Sequence, residues 1–437
     1  MILRGPVVVL VLLGLVPTAL LPDRAGTVAA LWLLGVAVLV LVDVLSAPSP
    51  RSVDLAREPV PQVRLQEETQ TVLVLTNTGE RRVRGQLRDA WVPSAGAGAA
   101  RHTLDLPAGE RRKVTTTLRP TRRGDRPATG VTVRTHGPLG LAGRQATVEV
   151  PGAVRSLPPF RSRRHLESKL AQLRQLDGRS AVRTRGQGTE FDSLRDYVDG
   201  DDVRSIDWRA TARRQHAVVR TWQPERDRRV ILVLDTSRTS AARVGDEPRL
   251  DAAMDAALLL TAVASRAGDR VDLVAGDRAI RARVGAGGSG TGGAGSLLHR
   301  MVTAMAPLEP VLLEADWPML AGAVTGTTRR RALVVLLTSL EPAAVEEGLL
   351  PVLPSLTAHH RVVLASVADP GLRALREDLS GVGEVYDAAA AERTETLRRR
   401  TATGLGRLGV TVVHESPDEL PEALVDHYLA LKAQGLL

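Results

Sequence analysis

The sequence predicts a mixed α/β chain: an N-terminal two-helix membrane hairpin, a small antiparallel β-sandwich and a C-terminal doubly wound α/β domain. Three observations carry this expectation. Two apolar runs fill the first 45 residues, short alternating runs bounded by turn residues follow from 63 to 150, and strand-like apolar segments alternate with helix-like ones from 229 onward. These changes of pattern set boundaries at 1–50, 51–150, 151–228 and 229–437, the third stretch being a linker with a charged signature segment.

Val7 to Leu21 is apolar apart from Pro17, and Thr27 to Leu45 is apolar until Asp43. Each is close to the length of a membrane span. The polar turn Pro22-Asp23-Arg24-Ala25-Gly26 suits two antiparallel helices. A secretory signal peptide is the competing reading, but no small-x-small cleavage site follows the first run and the second would act as a stop. Arg4 lies before the first run and Arg51, Arg57 and Arg64 follow the second, which places both termini and the bulk of the chain in the cytoplasm.

The charge distribution agrees with that placement. The chain of 437 residues has 58 basic and 49 acidic side chains, a net +9. Residues 51–150 hold 17 basic against 10 acidic groups, 151–228 hold 17 against 11, and 229–437 hold 22 against 26. A basic middle beside a slightly acidic C-terminal half suits an anionic membrane surface. Nucleic acid is disfavoured, because the arginines interleave with carboxylates and few aromatics are present for stacking. With no cysteine, a disulfide scaffold, a thiolate metal site and a cysteine nucleophile are excluded. Only Lys113, Lys169 and Lys432 are lysines, a bias read first as coding bias and second as selection for phosphate binding.

In the β region, Gln70 to Thr76 alternates before the turn Asn77-Thr78-Gly79, and Arg112 to Leu118 alternates before Pro120. Thr129 to Thr135 and Gln145 to Val150 add strands, while Ser94 to Ala100 reads as a flexible loop. Nothing here looks catalytic, and a spacer or docking platform is the expected role. Pro151 to Arg164 reads as extended, and Leu166 to Leu176 as a short amphipathic helix ending before Gly178.

The densest polar stretch runs from Gly186 to Arg209 and packs seven carboxylates, three arginines and three aromatics into 24 residues. Two uses compete. Arginine forks at Arg195 and Arg204 can pair with the carboxylates and pin an irregular segment, or some carboxylates can face a metal, a partner or a substrate. Arginines this close neutralise much of the charge, which favours structure or docking over chemistry.

Gly188-Thr189-Glu190-Phe191, Leu194-Arg195-Asp196-Tyr197, Gly200-Asp201-Asp202-Val203-Arg204 and Ile206-Asp207-Trp208-Arg209-Ala210-Thr211-Ala212-Arg213 together resemble the signature of the bacterial family called domain of unknown function 58. Arg123-Gly124 and Gly137-Pro138-Leu139-Gly140-Leu141 are similar to that family's lead-in, where an Asp-Pro-Phe-Gly-Leu type of sequence is usual. The resemblance implies two N-terminal spans, a β unit, and a C-terminal von Willebrand factor A-like domain of Rossmann type. It also implies association with a MoxR-type AAA+ ATPase in assembly or maturation of other proteins. Partner-binding or structural roles would fall on Glu190, Phe191, Arg195, Asp196, Tyr197, Gly200, Asp201, Asp202, Arg204, Asp207, Trp208, Arg209 and Arg213.

Arg229 to Asp235 reads as a strand buried on both faces of a parallel sheet. Helix-like Leu250 to Arg266, strand Arg270 to Ala275, a glycine-rich loop Gly285 to Gly295, strand Ala332 to Thr338, helix-like Pro342 to Leu356, strand Arg361 to Val367, helix-like Glu392 to Leu408, strand Val410 to Val413 and helix-like Pro417 to Ala433 follow. The glycine-rich loop lacks the Lys-Ser/Thr of a phosphate-cradling loop and reads as an insertion.

Asp235-Thr236-Ser237-Arg238-Thr239 ends the first strand and is similar to the Asp-x-Ser-x-Ser motif by which von Willebrand factor A-like domains hold magnesium or manganese. Asp235, Ser237 and Thr239 match. Ser339 stands where that motif's later aspartate is expected, and no residue clearly supplies its threonine, with Thr291, Glu314 and Asp316 the nearest to consider. One carboxylate makes a weak site for Mg2+ or Mn2+, and the alternative is that Asp235 caps the segment after it. His359-His360 lacks a third ligand nearby, and no Ser/His/Asp order or nucleophile elbow stands out.

The expectation is therefore a membrane-anchored, non-enzymatic interaction scaffold on the cytoplasmic face, with an AAA+ ATPase as partner. The alternative is a divalent-metal-dependent ligand-binding protein or enzyme in which Asp235, Asp201, Asp202 and Asp207 share a cation over an anionic substrate. An outward-facing adhesion module would require the opposite topology.

Overall fold

The structure is a computed structural model, and it describes residues 2–183, 190–199, 201–223, 228–285 and 294–437. The chain is mixed α/β and divides into two compact units, Met1–Leu157 and Pro158–Leu437.

The first unit begins with apolar helices. Gly5–Leu13 and Leu15–Leu20 are separated at Gly14, because Pro17 has no N–H to give the carbonyl of Leu13. A 3-10 turn, Pro22–Arg24, leads into the helix Ala25–Ser46. Within Pro22–Ser52 an 18-residue window has a mean hydropathy of 2.7, and the helix is long and apolar enough to cross a membrane. The indole of Trp32 donates to the Leu10 carbonyl at 2.9 Å and lies against Gly14, where a Cβ would come within 2.4 Å of the ring.

Two sheets follow, facing each other across an aliphatic core. Val53–Arg57, Thr69–Asn77 and Arg111–Leu118 form one. Gly124–His136 is the hub of the other, pairing with Val83–Trp91, Ala142–Val148 and Ala153–Leu157. All of these pairs are antiparallel, but Val63–Arg64 joins Ala153–Leu157 in parallel, a departure from the purely antiparallel expectation. Leu73 and Leu75 of the first sheet meet Leu87, Leu106, Val131 and Val133 of the second. One buried ion pair also spans the sheets: Arg57 grips Asp89 through both guanidinium nitrogens at 2.6 and 3.0 Å and donates to Thr71. The guanidinium stacks 4.7 Å from the Trp91 ring, whose indole N–H completes Asp89. The Asn77 turn closes as expected, its amide donating to the carbonyls of Arg81, Leu106 and Pro107. Ser94–Ala100, expected to be flexible, is instead pinned. Ala95 is buried, Gly98 donates to the Thr117 carbonyl, and Gly96, at φ +60°, sits where a Cβ would strike the Arg119 carbonyl.

In the second unit a six-stranded sheet runs in the order Ile280–Val284, Arg270–Gly276, Arg229–Asp235, Leu333–Leu337, Arg361–Val367, Val410–Glu415. All neighbours are parallel except the Ile280–Val284 edge, which is antiparallel. That edge strand went unread in the sequence, because its Ile-Arg-Ala-Arg-Val pattern carries charge on one face. The helix Arg249–Arg266, rich in alanine and leucine, is buried from Leu250 to Ala264, packed between the sheet and the helices Leu166–Arg183 and Leu420–Ala433. Three helical expectations need correction. Leu166–Arg183 continues through Gly178, Val382–Arg407 starts ten residues earlier than expected, and Pro342–Leu356 is interrupted by a π-helical turn at Val345–Leu349 where Pro351 and Pro354 remove backbone donors.

The segment after Pro158 is fastened by charge. Ser162 donates its N–H and hydroxyl to Asp255 at 3.1 and 2.8 Å, and Arg161 pairs with Glu247. Burial pushes the Asp255 carboxyl above the usual carboxylate range, with Ser162 and Arg161 pulling the other way. A carboxyl that holds its proton more tightly in the folded chain than in the unfolded one weakens the fold at neutral pH, and does so less as pH falls. Asp255→Asn keeps an acceptor for Ser162 and removes the buried charge. It is expected to melt above the parent at about pH 7 and to converge with it at about pH 4, where the unfolded carboxyl is itself half protonated. Calorimetry of the detergent-solubilised chain measures this, and a lower melting point at neutral pH would show that the Ser162 contacts need the charge.

Candidate functional site

The sheet order reverses direction between Arg229–Asp235 and Leu333–Leu337, and ligands of open α/β sheets bind in the crevice at such a point, beyond the strand C-termini. A cleft of about 280 Å³ opens there, lined by Asp235, Ser237, Thr239, Thr338, Trp317 and the π-helical turn. Gly348 of that turn abuts Trp317, where a Cβ would lie 2.8 Å from the indole.

Asp235 is buried, and both of its carboxylate oxygens are used. Oδ1 accepts from the Ser237 N–H at 2.8 Å, and Oδ2 accepts from the hydroxyls of Thr239 at 3.0 Å and Thr338 at 2.6 Å. Ser240 donates to the Asp235 carbonyl, and the Ser237 and Thr239 hydroxyls lie 3.3 Å apart. Thr338 is the partner that sequence reading missed, since it arrives from the neighbouring strand more than a hundred residues away. Ser339 accepts from Arg249, which also reaches Glu341. Buried Arg398 holds the same Glu341 carboxylate, keeping it below the usual carboxylate range although burial pushes upward. Glu314 pairs with Arg238 on the rim, and Asp316 caps the helix Trp317–Thr327 through the Met319 N–H.

A divalent cation in the cleft would have to be held by this donor set. It offers one carboxylate already satisfied by three donors, and a guanidinium within 3.2 Å of Ser339, the position where a second carboxylate would be needed. The residues fit such an ion poorly. Among the described residues, no three His, Asp or Glu side chains gather as a metal cluster. His360 is buried beside His359, its imidazole pKa lowered first by burial and then by its neighbour. Thr291 and residues 286–293 of the glycine-rich loop lie outside the described residues.

The signature folds as a separate small constellation. Glu190–Asp196 pairs antiparallel with Val218–Gln223, bulged between Phe191 and Ser193, and a 3-10 turn Val203–Ser205 and a helix Trp208–Arg214 connect them. Gly186 to Thr189 and Gly200 lie outside the described residues, as do the side chains of Glu190 and Phe191.

Four aspartates of the signature have specific partners. Asp201 pairs with Arg195 at 2.5 Å and accepts from the Val198 N–H. Asp202 accepts from the Arg204 N–H, and Asp207 caps its helix through the N–H groups of Arg209 and Ala210 while holding Arg220 at 2.8 Å. The Ala210 N–H first, then Arg220, and last the Arg209 N–H lower the Asp207 pKa, against a smaller upward push from burial. Asp196 meets His216 at 2.8 Å. Asp201, Asp202 and Asp207 thus serve local turns, and the structure does not bring them together with Asp235 as a shared cation site. Outward from this framework stand Trp208, 67% exposed, Val198, Val203 and the side chains of Arg204, Arg209 and Arg213.

A parallel α/β unit with a switch-point cleft, joined to a capped and arginine-rich hairpin module, is the class of protein that this geometry defines. Within it, residues 193–405 match the family described as "Protein of unknown function DUF58". Curated relatives include uncharacterized protein Mb1516 of Mycobacterium bovis and uncharacterized protein Rv1480 of Mycobacterium tuberculosis. Each is 28% identical over 226 residues, spanning 50% of this chain and 69% of the relative. Similar solved structures include the PapD-like domain 7 of human CEP192, 17% identical over 25% of this chain and 89% of that one, at a TM-score of 0.20. The CARDB domain of PF1109 from Pyrococcus furiosus is 15% identical over 25% of this chain and 97% of that one, at a TM-score of 0.18.

Proposed function

We propose that this protein is a membrane-anchored interaction scaffold of the domain of unknown function 58 family, without catalytic chemistry of its own. Its C-terminal unit is a von Willebrand factor A-like domain with a degenerate metal motif, and its partner is a MoxR-type AAA+ ATPase working on the assembly or maturation of other proteins. The N-terminal helices form a two-span hairpin with both termini and the bulk of the chain in the cytoplasm.

The observation that carries this reading is the division of labour in the signature. Asp196, Asp201, Asp202 and Asp207 are engaged in local turns, caps and ion pairs, with Asp201 and Asp207 half-buried, while a tryptophan, two valines and three arginines are left exposed. An exposed Trp in a segment with several exposed arginines is the composition of a protein-binding hot spot for an acidic partner surface.

The test uses full-length protein in lipid nanodiscs and a purified MoxR-type ATPase from the same host, with magnesium and ATP. Saturable binding that weakens steeply with salt is expected. Absence of binding would overturn the scaffold reading, and a rise in melting temperature with magnesium alone would favour the metal-dependent alternative instead.

A further inference from the structure

Asp43, in the apolar helix Ala25–Ser46, is fully buried by a turn of the β region. Its Oδ1 accepts from the Leu139 N–H, and its Oδ2 accepts from the N–H groups of Leu141 and Ala142, each at 2.7 Å. The approach is so close that a Cβ on Gly137 would lie 2.2 Å from the Asp43 carboxylate and carbonyl oxygens. Arg4 donates its backbone N–H to the Leu141 carbonyl, and Arg144 donates to the Val44 carbonyl at 3.0 Å. Leu141 turns inward against Val7 and Val36 of the apolar helices. Leu139 turns outward and is 51% exposed.

The turn is therefore bolted to the helix at the level of Asp43, less than one helical turn from the end at Ser46, or about 5 Å along its axis. Leu41, Val42 and Leu45 are exposed at the same level of that helix. A carboxylate there would be costly beside hydrocarbon unless satisfied, and three backbone donors satisfy it.

We propose that the Gly137–Leu141 turn is a membrane-seating element: Leu139 inserts into the bilayer interface beside the helix end, with Arg4 and Arg144 at the level of anionic lipid headgroups. The occupant of this surface is lipid, because the exposed leucine continues the apolar surface of the helix to which its own backbone is hydrogen-bonded. The inference rests on the membrane-spanning reading and adds to it that the β unit is held against the membrane surface, not tethered free of it.

The chain has no cysteine, so single cysteines can be labelled without a background. Leu139→Cys, Leu33→Cys in mid-helix and Arg84→Cys on an exposed strand position are each labelled with the polarity-sensitive nitrobenzoxadiazole dye. The full-length protein is placed in vesicles of phosphatidylcholine and phosphatidylglycerol containing lipids spin-labelled at shallow or deep acyl positions. The expected result is blue-shifted emission at 139 that shallow labels quench most, quenching at 33 by deep labels, and neither effect at 84. If 139 behaves like 84 while 33 is quenched, the span stands and the seating proposal fails. If 33 is also unquenched, the spanning reading fails and takes the proposal with it.

Discussion

Replacing Trp208 by alanine is expected to weaken binding of the proposed ATPase partner by roughly 30- to 1000-fold, about 2–4 kcal/mol, while leaving the melting temperature of the protein unchanged. The separation of the two effects follows from how the helix Trp208–Arg214 is held. Asp207 caps its first turn, Arg220 ties that cap to the neighbouring strand, and the Thr211 hydroxyl accepts from the Val218 N–H. None of these contacts uses the indole, which is 67% exposed. A buried tryptophan contributes some 150–250 Å² of contact, so its truncation should fall almost entirely on the complex. Arg209→Glu with Arg213→Glu should act differently, flattening the salt dependence and slowing association. Biolayer interferometry on nanodisc-embedded protein measures both, and unchanged affinity for Trp208→Ala would remove the docking surface assigned to this module.

Why the signature was legible as important and illegible in role is a matter of residue chemistry. Aspartate at a helix N-cap, aspartate in an arginine fork and aspartate on a metal are the same letter in a sequence. Only the direction of the carboxylate tells them apart. Asp207 precedes Trp208-Arg209-Ala210 in a pattern that suits an N-cap, and the structure uses it so. Asp201 is claimed by Arg195 six residues earlier, a pairing that depends on the intervening turn and leaves no periodic trace. Asp43 shows the opposite case. As a charge in an apolar run it stands out at once, yet its partners lie nearly a hundred residues away in the Gly137–Leu141 turn, and neither segment alone reveals the contact.

The same contrast holds for the fold. Strands buried on both faces, such as Arg229–Asp235 and Arg361–Val367, declare themselves as continuous apolar runs. The edge strand Ile280–Val284 does not, because Arg281 and Arg283 alternate with its apolar residues and face water. Ser94–Ala100 read as loose because its residues are small. Small residues are also what allow Gly96 to lie against the Arg119 carbonyl, a fact of tertiary contact that composition does not carry.

Asp235→Ala is expected to cost the folded chain about 1–3 kcal/mol for each buried donor it leaves unsatisfied. The loss comes from what stays behind. The Ser237 N–H and the Thr239 and Thr338 hydroxyls all donate to this carboxylate at the ends of two adjacent central strands, and alanine leaves them facing a void. Asp235→Asn should cost much less. Its amide oxygen still accepts from Ser237, and the hydroxyls of Thr239 and Thr338 can rotate to accept from the amide N–H groups. The pair of variants also separates the two uses of the cleft. In a hydroxyl-satisfied pocket, the asparagine variant melts close to the parent and magnesium shifts neither. In a cation site, magnesium raises the parent's melting temperature by mass action and the asparagine variant loses that response. Thermal unfolding of parent, Asp235→Asn and Asp235→Ala, each with magnesium and with chelator, decides between them. The short Thr338 contact, which together with Thr239 and Ser237 already engages both oxygens of the Asp235 carboxylate, is the reason to expect the first outcome.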